Sequence, residues 1–229
     1  GRRLRRLRLL LLRRPLGRFP MVYIEPTQRH GWRPVAKRSF DVAVSALMLV
    51  MLAPLFIAAM AAVKLTSHGG VFFRQERVGR NGSTFKVLKF RTMVADAEKQ
   101  LANVRHLNEA QGPIFKIKND PRITKVGRLL RKTSIDELPQ LVNVLKGEMS
   151  LVGPRPALPS EVDLWDASLH NRLRVQPGIT GMWQVSGRSD AGGDYGQLDL
   201  YYVDNWTLFA DLVIIMRTIP AVITQRGAC

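Results

Sequence analysis

The longest apolar run sets the first expectation. Val42 to Val63 is 22 residues without a charge, which as one continuous helix extends roughly 33 Å, enough to cross a bilayer. With no polar face, the same helix in a soluble core would need burial all round. Pro54 falls near the middle, where it removes a backbone donor and bends a helix. Lys37 and Arg38 precede the run, and Lys64, Arg74, Arg77 and Arg80 follow it. Basic residues favour the cytoplasmic side, so both ends ask for the same side. A bent helix that enters and returns satisfies both demands; a straight span and a buried core helix are the alternatives.

Beyond this run the pattern shortens and mixes. Val71 to Gln75 and Thr84 to Phe90 are rich in β-branched and aromatic residues and flank Gly79-Arg80-Asn81-Gly82, which predicts a hairpin. Asp96 to Asn108 has helical composition, with Ala95, Ala97, Leu101 and Val104 near one face. Gly112 to Thr124 reads as a loop or short strand, Lys125 to Lys132 as a short basic helix, and 137–146 as a helix ended near Gly147. Leu151 to Pro159 holds three prolines and a glycine and is expected to be irregular; Val175 to Gly187 reads as a turn-rich loop or short strands. Trp206 to Ile219 mixes apolar residues with Asp211 and Arg217, as an amphipathic helix at a membrane surface does. The fold class expected is α/β (α+β), mostly helical. Its segments are a basic N-terminal stretch and linker over 1–36, a bent membrane helix over 37–66 and a mixed domain over 67–229.

Charge narrows the partners. The 229 residues carry 35 Lys+Arg against 18 Asp+Glu, a formal net charge of +17, which favours nucleic acid, anionic lipid or a phosphorylated substrate. Residues 1–18 hold eight arginines among leucines, a pattern suited to anionic headgroups, to a disordered basic tail, or to RNA. A membrane-anchored nucleic-acid-binding protein is therefore the rival class. It is weakened by an aromatic content of 7%, with no aromatics interleaved in the basic runs to stack on bases. The only cysteine, Cys229, excludes an intrachain disulfide, and no paired Cys/His spacing suggests structural zinc.

Chemistry is concentrated at Ser134-Ile135-Asp136-Glu137-Leu138-Pro139. One reading is a capping box, with Ser134 capping a helix and Glu137 reaching back. Pro139 would then sit inside the first turns and leave the Ile135 carbonyl without a donor, which suggests a shaped functional turn instead. The functional reading sets an aspartate nucleophile beside a metal-binding acid. Adjacent carboxylates raise one another's pKa unless cations compensate, and Arg128, Arg131, Lys132 and Arg155 are candidates to do so. An arginine fork can hold a phosphoryl group, and Mg²⁺ can take a carboxylate plus diphosphate oxygens.

Five ordered motifs give a specific resemblance: Lys89 to Met93 (KFRTM), Asn119 to Thr124 (NDPRIT), Ser134 to Gln140, Met149 to Pro156 (MSLVGPRP) and Pro177 to Gln184 (PGITGMWQ). Over about residues 37–228 the chain resembles the bacterial sugar transferases, the monotopic polyprenyl-phosphate hexose-1-phosphate transferases. The resemblance implies a re-entrant membrane helix broken at Pro54, amphipathic interfacial helices, and a catalytic domain on the cytoplasmic face of the bacterial inner membrane. It implies Mg²⁺-dependent transfer of a sugar phosphate from a UDP-sugar to polyprenyl (undecaprenyl) phosphate, as in exopolysaccharide synthesis. By the same matching Asp136 is the nucleophile, Glu137 a Mg²⁺ ligand, and Lys89, Arg131 and Arg155 contact phosphate. Membrane lipids are expected partners, nucleic acid is not, and a homo-oligomer is left open. The ending, Leu198 to Trp206, is similar to that of larger members whose catalytic part follows a multi-helix membrane domain, so a catalytic part of that kind is expected. Two departures stand out. Ala53 occupies a position where relatives commonly carry a serine bonded to the bend, and Ala191 to Gln197 lacks a tryptophan that many relatives have there.

Overall fold

A computed structural model of the chain describes residues 31–104, 106, 117, 120–186 and 195–223. The basic segment 1–30, most of the 107–119 stretch and the glycine-rich 187–194 stretch lie outside the described residues. The apolar run forms two helices, α1 (Arg33–Met51) and α2 (Ala53–Thr66), bent by 64° at Leu52. No single helix among the described residues is long and apolar enough to cross a membrane; the bent pair together meets that test. Pro54 lies in the first turn of α2, so the ladder breaks two residues ahead of it. Lacking an N–H, it leaves the Val50 carbonyl to Leu52, whose N–H reaches both Met48 and Val50. The bend thus forms without a serine at position 53.

Both ends of the pair are tied to the same domain. Near the start of α1, Arg38 donates to the carbonyls of Val144 (2.5 Å) and Leu145 (2.8 Å). Lys37 Nζ lies 3.1 Å from Asp41 and 2.8 Å from Asp211. Asp211 is fully buried and also accepts from Tyr202 Oη (2.8 Å) and Trp206 Nε1 (3.0 Å). At the far end, Arg91 donates to the carbonyl and hydroxyl of Ser67. Lys37 and Arg38, expected as charges at a membrane boundary, also anchor α1 to the domain.

The predicted hairpin exists and is longer than expected: β1 (Phe72–Val78) pairs antiparallel with β2 (Thr84–Phe90), Phe72 opposite Phe90. Its connection is a 3₁₀ turn, with Asn81 at φ 56° and Gly82 at φ +80°. The helix expected over 96–108 is confined, among described residues, to α3 (Leu101–Val104), preceded by turns. The basic helix α4 spans Lys125–Lys132 as read, whereas the helix expected from 137 is α5 (Gln140–Lys146), closed by Gly147 in the left-handed region at φ 83°. Asn143, buried on α5, accepts from Leu88 N–H (3.0 Å) and donates to the Lys86 carbonyl (2.8 Å), fixing the helix to the edge of β2.

The stretch expected to be irregular starts as a buried strand, β3 (Ser150–Val152), parallel to β4 (Gly178–Thr180). Short helices α6 (Pro159–Val162) and α7 (Met182–Val185), then α8 (Tyr195–Asp204) and α9 (Leu208–Ile223), complete the chain. The main core joins Val87, Leu141, Val144, Val152 and Ile214, with Phe40, Val44 and Met48 of α1 packed on it. Each fully buried large aliphatic contributes about 1.5–3 kcal/mol. A second cluster sets Ala59 and Val63 of α2 against Phe90 and Leu130, so α2 covers the hairpin end nearest α4. On the outer face of α9, Phe209, Leu212, Met216 and Ile219 are exposed at three- and four-residue spacing.

Candidate active site

Asp136 and Glu137 lie in a 3₁₀ turn, Ile135–Glu137, entered through Ser134 in the left-handed region at φ 55°. A non-glycine residue there is uncommon and implies that surrounding structure holds it. Ser134 makes no side-chain cap bond, and Glu137 reaches instead to Lys89, Oε1 to Nζ 2.7 Å. The capping box is therefore not formed. The Ile135 carbonyl accepts from Leu138 N–H at 3.1 Å, so the 3₁₀ geometry supplies the donor that Pro139 cannot.

Lys89 reaches the turn from β2. Arg131 reaches it from α4, which is seated on the strand end by Thr92. Thr92's carbonyl accepts from Thr124 N–H (3.0 Å), and its hydroxyl accepts from Arg131 Nε (2.9 Å). Thr124 caps α4 through Gly127 N–H (2.9 Å), and a Cβ at Gly127 would stand 2.0 Å from the Thr92 carbonyl oxygen. Close approach there requires glycine. Asp120 and Arg122 form a buried fork-to-fork pair, the shortest contact 2.6 Å, and Arg122 also borders the cleft beside the acids. Of the three cations just upstream of the acids, only Arg131 turns inward; Arg128 and Lys132 are exposed.

These groups open on a cleft of about 600 Å³, lined on its polar side by Lys89, Arg122, Arg131, Asp136 and Glu137. Its lining also includes Phe73, Phe90 and Met93. Phe90 packs on Phe56 of α2 at 5.0 Å between ring centroids, so the cleft lining touches the bent helix pair through Phe90. Burial pushes the Asp136 carboxyl up to about 6, with Glu137 adding to the rise and Lys89 and Arg131 opposing it. Arg131 is held below the usual guanidinium range by burial, against the pull of Asp136 and Asp120.

Arg155 is not among the residues lining this cleft. Its fork faces Glu161, with three contacts between 3.1 and 3.3 Å. Burial alone would raise the Glu161 pKa, but Arg155 holds it below the usual range. Arg77 bridges the two regions. It donates to the Pro156 carbonyl (3.1 Å) and to Gln75 (2.6 Å), and burial followed by Arg155 lowers its pKa to about 10, while Glu161 and Glu137 pull it up. Along the sequence Arg77 stands only as a charge flanking the apolar run, and Thr92, Asp120 and Arg122 carry no role. The signal for the last three lay inside the KFRTM and NDPRIT motifs.

No group of three or more His, Cys, Asp or Glu among the described residues could cage a metal. Two adjacent carboxylates nevertheless suit Mg²⁺, which commonly takes one or two carboxylates and fills its octahedron with substrate phosphates and water. The raised Asp136 pKa marks a place where additional positive charge would be favourable.

The family model described as bacterial sugar transferase matches residues 32–225. The exopolysaccharide production protein ExoY of Rhizobium meliloti is 46% identical over 211 residues, covering 89% of this chain and 93% of that protein. The undecaprenyl-phosphate galactose phosphotransferase of Salmonella typhimurium is 45% identical over 202 residues, 84% of this chain but 41% of that longer protein. The UDP-glucose:undecaprenyl-phosphate glucose-1-phosphate transferase of Caulobacter vibrioides is 38% identical over 230 residues, 96% of this chain and 78% of that protein.

Proposed function

The chain belongs to the bacterial sugar transferase family, and on that premise we propose that it is a phosphoglycosyl transferase moving a sugar 1-phosphate from a UDP-sugar to undecaprenyl phosphate. The observation that carries this reading is the placement of buried Asp136 in a cleft beside Glu137, Lys89 and Arg131. The relatives named for galactose and glucose transfer make UDP-galactose and UDP-glucose the first donors to try.

In the proposed reaction an Asp136 carboxylate oxygen bonds to the β-phosphorus of the donor as the bond to UMP breaks, and UMP leaves with that electron pair. The lipid phosphate oxygen then bonds to the same phosphorus, the aspartyl bond breaks, and the carboxylate is regenerated beneath a polyprenyl diphosphate sugar. Asp136 must be ionised to attack, and Lys89 and Arg131 favour that state. Lys89 also orients Glu137 through their 2.7 Å contact. Arg131, fixed by Thr92, presents its remaining guanidinium donors for the phosphoryl oxygens. Arg155 takes a further phosphate oxygen by exchanging its Glu161 contact for the ligand. Glu137 would hold Mg²⁺ with diphosphate oxygens, and the bound cation would neutralise charge on the transferring group.

The α1 and α2 pair is proposed to dip into the cytoplasmic face of the inner membrane and return. Attachment of both its ends to one domain, through Arg38 and Ser67, supports this. The cleft lining at Phe90, against Phe56, would then face the side from which a lipid phosphate arrives, and the outer face of α9 would rest on the same surface. Mg²⁺-dependent UMP release from a UDP-sugar by wild type, lost in Asp136→Ala, tests the assignment.

A further inference from the structure

The Gly153-Pro154-Arg155-Pro156 turn has no regular secondary structure, yet its backbone is pinned residue by residue. Gly153 N–H donates to Thr180 and the Pro154 carbonyl accepts from Gly178, both at 2.9 Å, extending the β3 and β4 pairing. The Pro156 carbonyl takes Arg77, and Val78 N–H donates to the Ala157 carbonyl at 2.9 Å. Arg155 is held by a different device. Its N–H points to Asp199 Oδ2 at 3.4 Å, and its carbonyl accepts from Arg172 Nη2 at 3.3 Å.

Asp199 and Arg172 are themselves paired at 2.6 Å, each side chain only 2% exposed. They come from separate elements, Asp199 from α8 and Arg172 from the 3₁₀ segment Leu169–Arg174. Trp165 backs the guanidinium, whose central carbon lies 4.6 Å from the ring centroid. A buried ion pair is poor evidence of stability, because desolvation offsets its attraction and an apolar pair of similar volume often serves the fold as well. What an apolar pair cannot do is contact the N–H and the carbonyl of one residue together.

We propose that Asp199 and Arg172 are positioning residues for the sugar-phosphate transfer: a buried charge clamp on the Arg155 backbone that fixes the point from which the Arg155 guanidinium, resting on Glu161, swings to take a phosphate oxygen of the donor. The proposal rests on the phosphate role given to Arg155 above. Asp199 and Arg172 touch no substrate themselves. Their effect on turnover passes through Arg155 and vanishes when the Arg155 side chain is absent.

The test is a coupling experiment with UMP release from UDP-galactose or UDP-glucose, Mg²⁺ and undecaprenyl phosphate as readout, thermal melting run in parallel. Three variants are needed: Arg155→Ala, Asp199→Asn, and the apolar swap Asp199→Leu with Arg172→Met, the last two each made with and without Arg155→Ala. Asp199→Asn and the swap should each lower kcat/KM at least tenfold with Arg155 present, and change it less than threefold in the Arg155→Ala background. The swap should melt within a few degrees of wild type or above it. A purely structural pair gives the opposite result: full kcat/KM in a stable swap, or an equal loss with and without Arg155, overturns the clamp. Should the swap fail to fold, the Asp199→Asn pair of measurements decides alone by the same criterion. Wild-type turnover in Arg155→Ala by itself would instead remove the phosphate role of Arg155, and the clamp with it.

Discussion

Lys89 Nζ and Glu137 Oε1 stand 2.7 Å apart and join the second strand of the hairpin to the turn that carries both acids. Lys89 is also one of the two cations that oppose the rise of the Asp136 pKa toward about 6. Lys89→Gln removes that opposition, so the acid limb of the kcat/KM profile should move upward from about pH 6, and kcat/KM at pH 7 should fall at least tenfold. A pH profile between 5 and 8.5 checks this. An unmoved midpoint would mean that Lys89 acts on something other than the carboxylate pair.

The Asp136 carboxyl is also a stability statement. Its folded pKa lies above the 3.8 of an ordinary aspartate, so its contribution is most favourable below that value and is lost as pH rises through about 6. At pH 7.5 the ionised, buried group costs up to ~3 kcal/mol by linkage. Asp136→Asn should therefore melt higher than wild type at pH 7.5, with the gap closing toward pH 4. Denaturation in detergent at the two pH values measures it, and a variant less stable than wild type at pH 7.5 would contradict the burial argument.

Seating of α4 on Thr92 depends on an absent side chain. Gly127→Ala puts a Cβ 2.0 Å from the Thr92 carbonyl oxygen, and backbone cannot yield as a flexible side chain would. The expected cost is ~1–3 kcal/mol of stability, with a loss of turnover beyond that stability change, because Arg131 is displaced from the Thr92 hydroxyl. Normal melting and normal activity would show that the helix reseats freely.

Much of the architecture was legible because it follows from local pattern. The α4 boundaries, the hairpin and the bend near Pro54 come from periodicity, turn residues and a missing N–H, all of which act within a few positions. The acid pair draws notice along the chain because adjacent carboxylates repel unless cations compensate, and the fold brings Lys89 and Arg131 to it. What could not be read were side-chain destinations. Arg128, Arg131 and Lys132 look equivalent along the chain, and only the seating of α4 on Thr92 turns Arg131 alone inward. Lys37 and Arg38 read as membrane-flanking charges because nothing local reveals Asp211, or the α5 carbonyls more than a hundred residues away. β3 was hidden for the same reason, its pairing with β4 being non-local.

The proposed re-entrant topology puts both ends of the helix pair on the cytoplasmic face, in keeping with their attachment to one domain. Single cysteines at Ser39 and His68, both exposed, in a Cys229→Ser background, should resist an impermeant thiol reagent in intact cells and react together after permeabilisation. Labelling of one position alone in intact cells would mean a spanning helix. Pro54→Leu should shift the pair toward that outcome, because it restores the donor missing from the first turn of α2.

The covalent step is the most direct test of the account. Wild-type protein, Mg²⁺ and UDP-galactose or UDP-glucose are mixed without undecaprenyl phosphate, and intact-protein mass and released UMP are followed together. Asp136 attack predicts at most one UMP per active site and a mass gain of one sugar phosphate, discharged when undecaprenyl phosphate is added. Glu137→Gln should slow both halves and weaken the Mg²⁺ dependence, and Asp136→Ala should give neither burst nor adduct. An adduct that persists in Asp136→Ala, or UMP release only when donor and lipid are both present with no adduct trapped, would contradict an aspartyl intermediate on Asp136.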